Sequence, residues 1–90
     1  MSIQVESKKE RPNTAVDWYQ FSSNWSSILA RYGVTYGIFE PNPLTRVTTL
    51  NFPNQGAYDS WSADPDVVRE IENMDNYLTF AKIVKTERQL

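Results

Sequence analysis

The sequence predicts an α+β domain with the element order β-α-β-β-α-β. Three observations carry that prediction. Short stretches alternate apolar and polar residues with a period of two, which marks half-buried strands. Between them lie longer stretches whose apolar residues recur at three and four, which marks amphipathic helices. The boundaries carry turn or cap chemistry at Pro12-Asn13, Gly33, Pro41 to Thr45, Asn54 and Asp64-Pro65.

The first strand is SIQVES, with Ile3 and Val5 on one side and Gln4 and Glu6 on the other. It is expected to continue through Lys8 and Lys9 as an exposed edge. RPNT breaks it, because Pro12 donates no ladder bond and Asn13 or Thr14 suits a cap. Trp18, Phe21, Trp25, Ile28, Leu29 and Tyr32 then form a helical stripe, interrupted by serines that weaken its first turn. Gly33 ends that helix. VTYGIFE and RVTTLNF, joined by the Pro41 to Thr45 turn, read as a hairpin. In its second strand Leu50 and Phe52 share one face, and Val47 and Thr49 the other.

Asn54 caps a short helix carrying Ala57, Tyr58 and Trp61. Asp64-Pro65 starts a longer one, with Asp66 near its positive end and Val67, Val68, Ile71, Met74 and Leu78 as its stripe. TFAKIVKTER is the expected fourth strand, centred on Phe80 to Val84. This order is the split βαβ, or ferredoxin-like, arrangement: a four-stranded antiparallel sheet with both helices on one face.

Ninety residues fit one domain spanning 1–90. So short a chain buries only about 60–65% of its unfolded surface. There is no cysteine, which excludes disulfides, thiolate metal sites and cysteine nucleophiles. There is no histidine either, so the commonest metal ligand and general base are missing. No metal and no cofactor are expected. The net charge of −2 argues against nucleic acid, which wants a basic surface. Lys8, Lys9 and Arg11 beside Trp18 and Tyr19 do not change this, because Glu6 and Glu10 interleave them. Asp64 and Asp66 are explained by their place at a helix start. The polar N-terminal stretch and the lack of a long apolar run predict no membrane association and a cytoplasmic protein.

The chain carries three Trp, five Tyr and four Phe, too many for an open surface. Its strands are apolar or β-branched on both sides, as at Tyr36 against Phe39 and Val47 against Leu50. Covering the open sheet face with a second copy would remove apolar area from water at about 25 cal/mol per Å². A homodimer through the sheet faces is therefore expected, with Phe39, Val47 and Thr49 at the interface.

At NFPNQGAYDSWSADPDV the chain resembles the dimeric α/β-barrel proteins related to antibiotic-biosynthesis monooxygenases. The resemblance lies in an aromatic, a short turn, an alanine-aromatic-acid-x-aromatic run and a DP corner. RPNT followed by Trp18-Tyr19 also resembles small members from phages and marine microbes. The resemblance implies a pocket between sheet and helices, and activities that include cofactor-independent oxygenation of polycyclic phenols. Haem-ligating members use a histidine, which this chain lacks.

Five residues are candidates for a ligand site. Tyr58 and Trp61, three apart on one helix face, wall an aromatic pocket or anchor the core. Trp25 and Tyr36 would close it, the Tyr36 hydroxyl orienting a phenolic or carbonyl ligand or simply bonding backbone. Asn51 would donate to a developing oxyanion or support the adjacent turn. The expected function is binding, or cofactor-independent oxidation, of a small aromatic or polyketide-like molecule. The missing histidine weighs toward binding over catalysis. The alternative is a non-catalytic structural or interaction module, an accessory protein of a phage or its host.

Overall fold

Alternation along the strands decides which residues meet the helices and which do not. The computed structural model describes residues 2–90. In chain order the elements are β1 (Ile3–Glu10), α1 (Trp25–Arg31), β2 (Thr35–Asn42), β3 (Thr45–Phe52), α2 (Gln55–Ala63), α3 (Pro65–Ala81) and β4 (Val84–Gln89). The strands form one antiparallel sheet in the order β2-β3-β1-β4. This is the ferredoxin-like topology, with the helices packed on one face.

On that face Ile3 pairs with Phe52, Val5 with Leu50, Ser7 with Thr48 and Lys9 with Arg46. Phe52 and Val5 pack there with Ile28 and Leu29 of α1, Trp61 of α2 and Val67 of α3. A second buried cluster joins Trp18 to Met74, Leu78 and Ile83, and Ile71 of α3 packs against both. The opposite, open face carries Phe39, Val47, Thr49 and Asn51 on β2 and β3, and Gln4, Glu6, Lys8 and Glu10 on β1.

Three expectations are corrected. First, β1 lies inside the sheet, between β3 and β4, and is not an edge. Lys9 is consequently buried.

Second, the helix expected from Trp18 begins only at Trp25, and residues 11–24 form a strap. Serines and asparagine offer the backbone side-chain alternatives to helix, and tertiary bonds decide the matter. Arg11 holds the strap, donating to the carbonyls of Pro43 (2.9 and 2.7 Å) and Val16 (2.9 Å). Asn13 accepts from the Ala15 amide at 2.9 Å as a turn and does not cap a helix. The Tyr77 hydroxyl donates to the Asp17 carbonyl at 2.6 Å. Gly33 does follow α1. Its φ of 66° is the left-handed conformation glycine adopts without strain, and Gly33 and Val34 close the helix on Ala30 and Leu29.

Third, α3 runs on to Ala81, so Phe80 lies on an exposed helix turn and not at the centre of a strand. The stripe of Val67, Ile71, Met74 and Leu78 continues at helical spacing, and nothing in the sequence breaks it before Lys82. The stop is made by Lys82 itself, at φ 60°, with the Ile83 amide donating to the Leu78 carbonyl at 2.9 Å. Lysine at this position is unusual, since glycine carries no Cβ penalty there.

The remaining caps are as expected. Asn54 accepts from the Ala57 amide at 2.8 Å, and Asp64 from the Asp66 amide at 2.8 Å. Asp64 also accepts from Tyr32 and, at 2.6 Å, from Arg31. The Tyr32 bond foremost, with Asp66 and Arg31, outweighs burial and holds its carboxyl down at about 2. In the hairpin, an irregularity between Phe39 and Asn42 absorbs Pro41 on the edge strand β2.

Candidate functional site

Two recesses open between the sheet and its helices, divided by Leu50 and Ile71, which line both. The larger, about 420 Å³, is bounded by α2, α3 and β4. Its rim is charged, with Glu72, Asp75, Lys85 and Glu87, and Lys85 donates to Asp75 at 2.7 Å.

The smaller recess, about 240 Å³, is walled by the strap, α1 and the strands. Its walls are aromatic. Phe21 stacks on Trp25 with ring centres 4.8 Å apart, and Tyr19 meets Phe21 edge-on at 5.0 Å. Trp18 and Tyr36 also face it, with Met74 behind. Trp25 continues the chain of rings into the core, meeting Trp61 at 5.2 Å, which in turn packs on Phe52 at 5.6 Å. Edge-to-face pairs of this kind are worth about 0.5–1.5 kcal/mol beyond the area they bury, so these walls hold their shape.

One carboxylate anchors the aromatic part of the strap. Glu70 of α3 is buried and accepts from the hydroxyls of both Tyr19 and Ser22. Burial alone would push its carboxyl up, but those bonds outweigh it and hold it below its usual range. The Tyr19 phenol moves the other way, to about 12, through burial first and then the bond to Glu70 and its charge. Tyr19 is therefore a neutral donor fixed in place.

The floor of the same recess is cationic. Arg46 of β3 and Lys9 of β1 stand side by side there on the helix-facing side, and Lys85 of β4, next in the row, lines the larger recess. Arg46 lies over the Trp18 ring at 5.2 Å, with Arg11 over the same ring at 4.8 Å. Burial, then the charges of Lys85 and Arg46, push the Lys9 amine down from its ordinary value, against Glu87 and Asp75. Among the described residues, none are grouped so as to hold a metal ion.

No protein-family profile and no curated protein sequence matches the chain. Solved structures do match its shape. One is SnoaB, a cofactor-independent oxygenase from Streptomyces nogalater, at a TM-score of 0.60 and 9% identity, covering 99% of this chain and 90% of that one. Another is a proposed antibiotic biosynthesis monooxygenase from Deinococcus radiodurans, at a TM-score of 0.54 and 14% identity, covering 100% of this chain and 90% of that one. This chain has their fold. At such identities the likeness is one of fold, and it agrees with the resemblance seen at NFPNQGAYDSWSADPDV.

The five candidate ligand residues fall in three places. Trp25 and Tyr36 line the smaller recess, and Tyr58 and Trp61 line the larger. Asn51 lies on the open face, opposite Thr35 and Gln4, and accepts from the Gln4 amide at 2.7 Å. One pocket bounded by all five does not exist. Phe39, Val47 and Thr49 share the open face, Phe39 opposite Val47.

Sequence reasoning missed Lys9, Arg46, Tyr19 and Phe21 as wall or floor of the smaller recess. The first two were within reach of alternation. Lys9 is in phase with Ile3 and Val5, and Arg46 with Leu50 and Phe52, so each belongs to the helix-facing side. Tyr19 and Phe21 were hidden by a misleading signal, because Trp18, Phe21 and Trp25 are spaced as on a helix that the segment does not form.

Proposed function

We propose that the chain binds a small aromatic molecule in the smaller recess, and that it does so as a homodimer through the open sheet face. The observation that carries the first part is the preformed aromatic enclosure of Tyr19, Phe21, Trp25 and Tyr36. Its volume narrows the ligand. Drug-sized ligands fill about 300–1,000 Å³, so a recess of about 240 Å³ suits one ring or two fused rings better than a polycyclic one. The larger recess is the less suited of the two, since fewer rings line it and three carboxylates, Glu72, Asp75 and Glu87, stand at its rim.

Oxidation is the finer form of this reading, supported by the shared fold with SnoaB. Without a redox cofactor the electrons for dioxygen would have to come from an electron-rich ring. Titration with phenol and 2-naphthol, followed by amide NMR, tests the binding. Saturable shifts confined to the residues around the smaller recess are expected, with dioxygen uptake measured alongside. If neither compound saturates, the binding reading falls.

The dimer rests on the open face. Phe39 stands there 65% exposed, with half-buried Val47 opposite it and Val84 on the far strand. The charged row of Glu6, Lys8 and Glu10 runs between them, so a partner sheet would have to meet those charges with its own. Light scattering is expected to give twice the chain mass for the native protein. Phe39→Glu, at an exposed position that the isolated fold tolerates, is expected to shift it to the single-chain mass. A monomeric native protein would remove this part of the proposal.

A further inference from the structure

The aromatic recess has a polar floor that the neutral-ligand reading leaves unused. Lys9 is 8% exposed, yet among the described residues its ammonium has neither a hydrogen-bond acceptor nor an ion-pair partner. Its cross-strand neighbours make this worse. Arg46 and Lys85 flank it on β3 and β4, and like charges directly opposite each other destabilise a sheet. Lys85 is neutralised by Asp75. Arg46 is only partly so: it lies 3.5 Å from Glu40, and its Nε is buried with no partner. Glu87 also lines the recess and attracts Lys9, but lies beyond ion-pair distance and accepts from the Ser7 hydroxyl at 3.1 Å.

A largely desolvated cation flanked by like charges is costly in the empty protein, and one more negative charge at that spot offsets the cost. Lys9 and Arg46 both line the recess whose walls are Tyr19, Phe21 and Trp25. The floor therefore calls for an anion and the walls for a ring, within a volume that admits one or two fused rings. Resting on the aromatic-ligand reading above, we infer that the ligand is an aromatic anion, a ring-borne carboxylate or phenolate, whose negative oxygen is held by Lys9 and Arg46 while its ring lies against Phe21 and Trp25. Charge-assisted hydrogen bonds of that kind are the strong ones.

The test is calorimetric titration at neutral pH and constant ionic strength with benzoate, its uncharged isostere benzamide, and acetate, the same charge without the ring. Benzoate is expected to bind at least about tenfold more tightly than either. Lys9→Met keeps the apolar stem and removes the buried charge, so it is expected to fold with a melting temperature at or above that of the native protein. It should lose most of the preference for benzoate while leaving benzamide binding unchanged. Arg46→Gln, which keeps Lys9, should reduce the preference for benzoate without abolishing it. Should benzamide match benzoate in the native protein, the anion assignment fails while the aromatic site stands. Acetate matching benzoate would make this a plain anion site and overturn the proposal. If none of the three binds, nor phenol or 2-naphthol, both readings fall together.

Discussion

Phe52→Ala is expected to destabilise the protein by about 3–5 kcal/mol, a large share of the roughly 5–13 kcal/mol a chain of this length possesses. Phe52 is 1% exposed and sits where every layer of the core meets. It faces Ile3 across the sheet, takes the Tyr58 ring edge-on at 5.1 Å and the Trp61 ring at 5.6 Å. Truncation removes the transfer energy of the ring and leaves a cavity that three rigid neighbours cannot collapse to fill. The matched comparison is Phe80→Ala. That side chain is just as large but 83% exposed, so its loss should stay within about 0.5 kcal/mol. Urea unfolding followed by circular dichroism measures both. Equal costs for the two substitutions would mean that Phe52 does not organise the core.

The contrast between these two phenylalanines also shows what the sequence could and could not tell. Phe52 was legible because it lies in a strand with clear alternation, its partner Leu50 two residues away. Phe80 was misplaced because the end of α3 is written in no residue that punctuates a chain. Lys82 takes the left-handed conformation only because Ile83 must turn back into the second buried cluster. The opposite error befell the strap. Trp18, Phe21 and Trp25 are spaced as on a helix, yet the segment is held by the bonds of Arg11 to Pro43 and by Tyr77 and Glu70, partners distant in sequence. Local spacing cannot reveal such bonds.

The site was legible in its aromatic character more than in its layout. Asn51 was separable in principle, since a residue between Leu50 and Phe52 must point to the other face. The cation row needed more than alternation. Alternation places Lys9, Arg46 and Lys85 on faces, but only the register of β1 against β3 and β4 sets them side by side. The lack of histidine, informative against several chemistries, said nothing about lysine.

Glu70→Ala is expected to release the strap, at a cost of about 3 kcal/mol, and to open the aromatic recess with it. The Tyr19 and Ser22 hydroxyls both donate to this one buried carboxylate. Hydrogen bonds to a charged group are worth about 1.5–3 kcal/mol, and two that share an acceptor do not simply add. Arg11 and Tyr77 hold the strap only up to Asp17, so losing Glu70 frees the stretch from Tyr19 to Ser22. Glu70→Gln keeps an acceptor oxygen but not the charge, and should cost about half as much. The acid limb gives an independent check. Because the folded carboxyl is held below its ordinary value of 4.5, its contribution is present above that pH and is lost as pH falls through the lower folded value. The stability gap between native protein and Glu70→Gln should therefore be full at neutral pH and narrow at about pH 3. Urea midpoints read by tryptophan fluorescence at the two pH values give the comparison. A gap that does not change with pH would show that the charge of Glu70 contributes nothing to holding the strap.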